Sequence, residues 1–170
     1  DTLELKAPGS FFIAAIAWWA LPDTIASLQI VGVLWSIFAM LGIFAGGRAL
    51  FGTQSAIISA SVYALLSPIM DSIDINYGAW MITPMIWSSV CFIKWMRNQS
   101  WGWLIATGVL LAIAGLLKRQ GAVLTPLFLL GVIYVTYSTT ERLEPKVLIR
   151  NLFILLVGIL IGFLPIFLFY

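Results

Sequence analysis

Stretches 24–45, 122–137 and 151–170 of this 170-residue chain contain no charged side chain. In hydrocarbon an unpartnered backbone amide or carbonyl is too costly to keep, so a segment of this kind satisfies its own backbone as a helix. About 20 apolar residues make a helix that crosses a core of roughly 30 Å, and the first and last runs reach that length. The whole composition agrees: 62% of residues are hydrophobic and 9% charged, against roughly 25% charged in a soluble domain. The expected fold is all-α, a polytopic transmembrane helical bundle forming a single transmembrane domain over 1–170.

Charge and residue usage narrow the functions. Net charge is only +2, and the eight Trp and eleven Phe suit interface anchors and lipid-facing packing. Membrane lipid is therefore an expected partner and nucleic acid is not. The chain has no histidine, which removes His-based triads and His metal sites. Neither a metal nor another cofactor is expected. The single Cys91 cannot form an internal disulfide, and beside Val90 and Phe92 it reads as packing. The chain starts on Asp1 without Met and stops on Tyr170 inside an apolar run, so it reads as the interior of a longer protein.

Six spans are expected, at about 24–45, 53–66, 77–95, 101–117, 122–137 and 151–170. Before them the polar opening 1–10 ends in Pro8-Gly9, and residues 10–21 follow as an apolar segment. A dozen helical residues rise only about 18 Å, too short to cross, so 10–21 is expected as an interfacial helix with Trp18 and Trp19 near headgroup depth. Asp23 suits the N-cap of the first span, and Gly46-Gly47 is expected to close it. The Ala- and Ser-rich span 53–66 is expected to be central, because small residues let helices approach closely. Pro84 should kink the third span. A hydrophilic loop is expected over 138–150.

Alternate crossing puts Arg48, Lys94, Arg97, Arg142, Lys146 and Arg150 on one side, six of the nine basic residues. That side should be cytoplasmic, and 1–10 and 118–121 should face outward. Lys6, Lys118 and Arg119 are then basic residues on the outer face, beside Asp1, Glu4, Asp23, Asp71 and Asp74. Cations converging at headgroup depth suit a lipid-linked phosphate, and a carboxylate opposite them suits a general base. Plainer readings stand beside these. Lys118 and Arg119 can simply terminate a helix, Lys6 can be a loop lysine, and Asp71 and Asp74 can only solvate a turn.

Lys6-Ala7-Pro8-Gly9 leading into Phe11-Phe12-Ile13 resembles the Lys-x-Pro-Gly motif of polyprenyl-phosphate-sugar-dependent glycosyltransferases. This is the dolichyl-phosphate-mannose protein mannosyltransferase-like group, which includes bacterial aminoarabinose transferases. Asp1 and Glu4 match acidic positions ahead of that lysine. Gly47-Arg48-Ala49-Leu50-Phe51-Gly52 is similar to the group's Arg-x-Leu-Phe-Gly turn. Ser67-Pro68 followed by Asp74-Ile75-Asn76 resembles its Ser-Pro and outer loop, and Gly115 to Lys118 its Gly-x-x-x-Lys helix end.

The resemblance implies a GT-C fold and inverting transfer of a sugar from a polyprenyl-phosphate donor to a glycan, lipid or protein acceptor. By position it makes Lys6 a donor-phosphate contact and Lys118 another, with Arg119 expected beside them from its charge; Asp71, Asp74 and Asn76 are expected on the acceptor side or in the outer loop. Asp1 and Glu4 are the candidate catalytic carboxylates that the resemblance leaves within the chain, with the main base expected upstream of Asp1. Three departures stand out: the group's first helix and acidic pair would precede Asp1, Gly78 stands where many relatives have Glu, and Ala7 replaces a common proline. A bacterial inner or plasma membrane location is expected. The competing reading is a transporter or lipid-carrier flippase, which would place ionisable residues at mid-membrane rather than at helix ends.

Overall fold

The computed structural model describes residues 15, 19, 25–69, 77–140 and 144–169. Six α-helices lie among them: α1 (Ile25–Phe51), α2 (Thr53–Leu66), α3 (Tyr77–Asn98), α4 (Trp101–Leu117), α5 (Leu124–Thr140) and α6 (Pro145–Phe169). A 3-10 helix, Arg119–Val123, joins α4 to α5. No strand occurs among the described residues, so the bundle is all-α as its composition requires. Gln29–Phe51, Arg119–Ser138 and Pro145–Pro165 are each long and apolar enough to cross a membrane, while α2 and α4 are shorter apolar helices. Of the expected interfacial segment, Ala15 and Trp19 are described; both are helical, and Trp19 is strongly exposed.

Lipid tails are as apolar as leucine, so helices here attract one another through close contact and hydrogen bonds rather than through water exclusion. Neighbours follow a row: α2 packs on α1, α1 on α3, α3 on α4 and α4 on α6, while α5 touches α3 and α6. The main core gathers Phe92 and Trp95 of α3, Leu104 and Leu111 of α4, Phe128 and Val132 of α5, and Leu155 of α6. The Phe92 ring meets Phe128 at a centroid distance of 4.8 Å. Gly131 of α5 makes room for that ring, since a Cβ there would lie 2.7 Å from its Cζ.

α1 and α3 run parallel. Trp35 lies level with Trp80, Phe38 with Trp87, and Gly46 with Val90. At the far end Arg97 donates to the carbonyl of Ala49. Pro84 sits inside α3 and has no N–H to give the carbonyl of Trp80, its i−4 partner. The Trp35 indole Nε1 supplies a donor to that oxygen at 2.8 Å. Thr83 Oγ1 in turn donates to the carbonyl of Trp35 at 3.3 Å. A neighbouring helix thus provides the hydrogen bond that proline removes, which is how lipid-embedded helices tolerate proline.

α4 and α6 are also parallel and come closer still. A Cβ on Gly108 would lie 2.8 Å from the Ile159 amide nitrogen, and one on Gly162 would lie 2.5 Å from Ala112 Cβ. Gly108 and Ala112 on one helix face Gly158 and Gly162 on the other, so each carries small residues four apart along its contact line. Such stripes let backbones touch.

Three sequence expectations change. Gly46-Gly47 does not end the first span, and α1 continues to Phe51. Those glycines serve packing instead: Gly46 meets Val90 of α3, and a Cβ on Gly47 would lie 3.1 Å from Ala56 Cα of α2. The break comes at Gly52, whose φ of 90° falls in the region that favours glycine. α2 is peripheral rather than central. Its main neighbour among the described helices is α1, Ala56 and Ala60 are buried, and Ile57, Ile58 and Leu65 are exposed. The loop expected over 138–150 is shorter, because α5 runs to Thr140 and α6 starts at Pro145. A proline fits a first helical position, where no amide partner is needed.

Candidate functional site

Residues Asp1, Glu4, Lys6, Asp71, Asp74 and Asn76, together with Asp23, lie outside the described residues. Lys118 and Arg119 are described, and they stand on one turn. α4 ends at buried Leu117, and Lys118 leaves the helix with extended backbone, φ −156° and ψ 134°. Its amide still donates to the Ala114 carbonyl at 3.1 Å, and its own carbonyl accepts from Gly121 N at 2.8 Å. The backbone of Lys118 is therefore tied on both sides.

Gly121 is what lets the turn lie down. It is buried, and a Cβ there would overlap the Ala114 carbonyl and come within 2.9 Å of Ala114 Cβ. The 3-10 backbone thus rests directly on the last turn of α4. Lys118 is half-buried, while Arg119 and Gln120 are exposed. Two cations consequently project from a short rigid turn, with a floor beneath it of Leu117 and Trp80 packed by Trp35, Met81 and Ile113. The Trp35–Trp80 bond belongs to this floor, so α1 and α3 both support it.

Helix directions place other features at this end of the bundle. α1 and α3 begin here, and α2 finishes here with buried Ser67, whose Oγ donates to Ala64 O at 3.3 Å. Between α1 and α2 lies a groove of about 170 Å³, lined by Val33, Ser36, Ile37, Met40, Tyr63, Ala64 and Ser67. Arg48, Lys94, Arg97, Lys146 and Arg150 all belong to helix turns at the opposite end. The sequence reading grouped these charges by counting spans; the parallel contacts of α1 with α3 and α4 with α6 group them by geometry.

Sequence reasoning overlooked three supports of this turn. Gly121 entered the sequence reading only as the end of the outward-facing segment 118–121, yet it decides how the turn sits. Trp35 looked like a lipid anchor, yet it serves the Trp80 carbonyl. The Gly158/Gly162 pair carried a legible signal, two small residues four apart in an apolar run, and it fixes α6 against the helix that carries Lys118.

No curated protein and no solved structure matches the chain. A family model does, described as dolichyl-phosphate-mannose-protein mannosyltransferase, and its match covers residues 5–169. That span takes in every described helix and the turn bearing Lys118 and Arg119. Together with the all-helical bundle and its membrane-length apolar helices, this makes the chain a member of the dolichyl-phosphate-mannose-protein mannosyltransferase family of membrane glycosyltransferases.

Proposed function

We propose that the chain is part of a GT-C glycosyltransferase that uses a polyprenyl-phosphate sugar as donor and works at the end of the bundle bearing Lys118. The observation that carries this reading is the turn itself. A half-buried lysine and an exposed arginine are held on a fixed backbone, at the end of the bundle away from the other described cations.

In this reading Lys118 and Arg119, joined by Lys6 from the opening loop, bind the donor phosphate. A lone pair of the acceptor oxygen or nitrogen attacks the anomeric carbon from the face opposite the phosphate. The new bond to the sugar forms as the bond from anomeric carbon to phosphate oxygen breaks, with inversion. The acceptor proton passes to a loop carboxylate, Asp1, Glu4 or one upstream of them, and polyprenyl phosphate leaves. The cations stabilise the charge that develops on the departing phosphate. Asp71, Asp74 and Asn76 form the acceptor side. The groove between α1 and α2 is apolar apart from three hydroxyls, which suits an isoprenoid chain better than a sugar.

The concentration of described cations at the opposite end supports placing 1–10 and 118–121 on the outer face, as in a bacterial inner membrane. The described charged residues sit in or near terminal helix turns, whereas transporters place ionisable groups at mid-membrane. The test is transfer by the full-length protein in nanodiscs, using a panel of polyprenyl-phosphate sugars and reading the anomeric configuration of the product. Lys118→Gln is expected to raise the donor KM about 10- to 100-fold, the scale of one lost charged hydrogen bond, with Lys118→Arg retaining most binding. A Lys118→Gln protein with unaltered donor KM would remove Lys118 from the phosphate site.

A further inference from the structure

Pro84 separates two kinds of hydroxyl in α3. Beyond it, Ser88 Oγ and Ser89 Oγ both donate to the Met85 carbonyl, at 2.7 and 3.0 Å, and in α4 Thr107 Oγ1 donates to that of Trp103 at 2.9 Å. Such bonds, to a carbonyl one turn back, are what serine and threonine inside a helix make by default. Thr83, directly before the proline and 2% exposed, departs from that default. Its Oγ1 crosses to α1 and donates to the Trp35 carbonyl at 3.3 Å.

Trp35 returns the contact, since its indole donates to the Trp80 carbonyl that Pro84 leaves without an amide. One residue of α1 therefore gives through its side chain and receives through its backbone. The two α3 partners, Trp80 and Thr83, are three apart and share a helix face. A single bond would let α3 turn about it; the second fixes both the spacing and the rotation of α3 at this level. What they hold is the Trp80 ring, fully buried against Leu117, the last residue of α4 before Lys118.

We propose that Thr83 is a positioning residue for the donor phosphate, acting through Trp35 and Trp80 on the turn that carries Lys118; this rests on the reading of that turn as the phosphate site. Thr83 supplies the height and angle of the floor on which the turn stands. Without its hydroxyl, the part of α3 before the proline is tied to α1 by the indole bond alone. Trp80 then shifts beneath Leu117, and the Lys118 side chain moves with it. Hydrocarbon offers no water to replace the lost bond.

The experiment compares Thr83→Val, Thr83→Ser, Trp35→Phe and Thr136→Val in the full-length protein in nanodiscs. Thr136, as buried as Thr83 but in the half of α5 away from Lys118, makes Thr136→Val a control for general loss of stability. One readout needs no activity: the acylation rate of Lys118 by a water-soluble N-hydroxysuccinimide ester, followed by peptide mass spectrometry. The other is the KM for a polyprenyl-phosphate sugar set against the acceptor KM. Thr83→Val is expected to change the acylation rate and raise the donor KM about three- to tenfold, the scale of one neutral hydrogen bond, with the acceptor KM near wild type. Trp35→Phe, which removes the other bond of the pair, should match it. Thr83→Ser should restore both values, and Thr136→Val should leave both near wild type. The proposal is overturned if neither Thr83→Val nor Trp35→Phe alters Lys118 acylation, if Thr136→Val alters it equally, or if Thr83→Ser fails to restore it. Acylation that follows Thr83 in a protein whose Lys118→Gln variant keeps its donor KM upholds the coupling and removes the phosphate as the ligand of the turn.

Discussion

Trp35 of α1 donates its indole N–H to the carbonyl oxygen of Trp80 in α3 at 2.8 Å, and Trp80 is the residue whose carbonyl Pro84 cannot serve. A side chain from one helix thus repairs the hydrogen bonding of another, and the repair lies in the apolar floor under Lys118.

That pairing predicts a thermodynamic cycle. Trp35→Phe keeps an aromatic ring but deletes the donor, and should destabilise the full-length protein in detergent by about 1–2 kcal/mol. Pro84→Ala restores an amide at the i+4 position, so Trp35→Phe should cost markedly less in that background. Thermal unfolding of the four proteins measures the coupling. Equal costs in both backgrounds would mean that the indole does not substitute for the missing amide.

Glycines at the α4–α6 contact should separate sharply from one in the first turn of α4. A Cβ on Gly108 or Gly158 would run into backbone of the facing helix, and Gly158 stands with its would-be Cβ 3.1 Å from Gly108 Cα. Gly158→Ala or Gly108→Ala should therefore lose about 1–3 kcal/mol of stability through overpacking. Gly102, exposed in the first turn of the same helix with only Ser100 Oγ near at 4.0 Å, should accept alanine without loss. Melting temperatures of the three variants decide it.

The turn bearing Lys118 should respond to one glycine and ignore the next. Gly121→Ala would lift the 3-10 helix off the Ala114 carbonyl, whereas a Cβ on Gly115 meets Ala122 Cβ at an ordinary 3.7 Å. Gly121→Ala is expected to raise the donor KM roughly 10- to 100-fold, as misplacement of a binding group by about an ångström does. Gly115→Ala should leave both KM and kcat near wild type. Steady-state transfer assays on the two variants provide the comparison.

α5 and α6 share a buried polar contact, in which Asn151 Nδ2 donates to Thr136 Oγ1 at 3.4 Å with both residues at 3% exposure. Thr136→Val keeps the shape and removes the acceptor. It should cost about 0.6–1.7 kcal/mol, the range for such bonds between membrane helices. Adding Asn151→Leu should recover part of that loss, because a buried donor without its acceptor is worse than no pair. Chemical denaturation in mixed micelles reports both steps.

Where the helices begin and end was legible wherever punctuation was local. α4 occupies 101–117, with Ser100 before it and Lys118 after it. Which helices touch was not legible, for a physical reason. These segments are apolar around their whole circumference, so the phase of hydrophobic residues that identifies the buried face of a soluble helix carries no information. The small residues hold that information, and their meaning depends on the partner. Ala56 packs on Gly47 of α1 while α2 stays at the edge, and Gly46-Gly47 serves two neighbours instead of ending a helix. At the candidate site, Lys118 and Arg119 could be picked out because they break the charge rule. Gly121 and Trp35, which hold that site in place, have no charge to betray them.

Connector length has a consequence for how this bundle can vary. Opposite Lys118, α1 passes to α2 through Gly52 alone and α3 to α4 through Gln99 and Ser100. At the Lys118 end, ten residues separate α2 from α3, and the segment 118–123 separates α4 from α5. Hairpins closed by one or two residues, each with a residue at positive φ (Gly52 and Gln99), leave no slack for an inserted epitope or a new loop. Added chain is best accommodated between α2 and α3, whose connector is the longest between the described helices, and not in the tied turn 118–123.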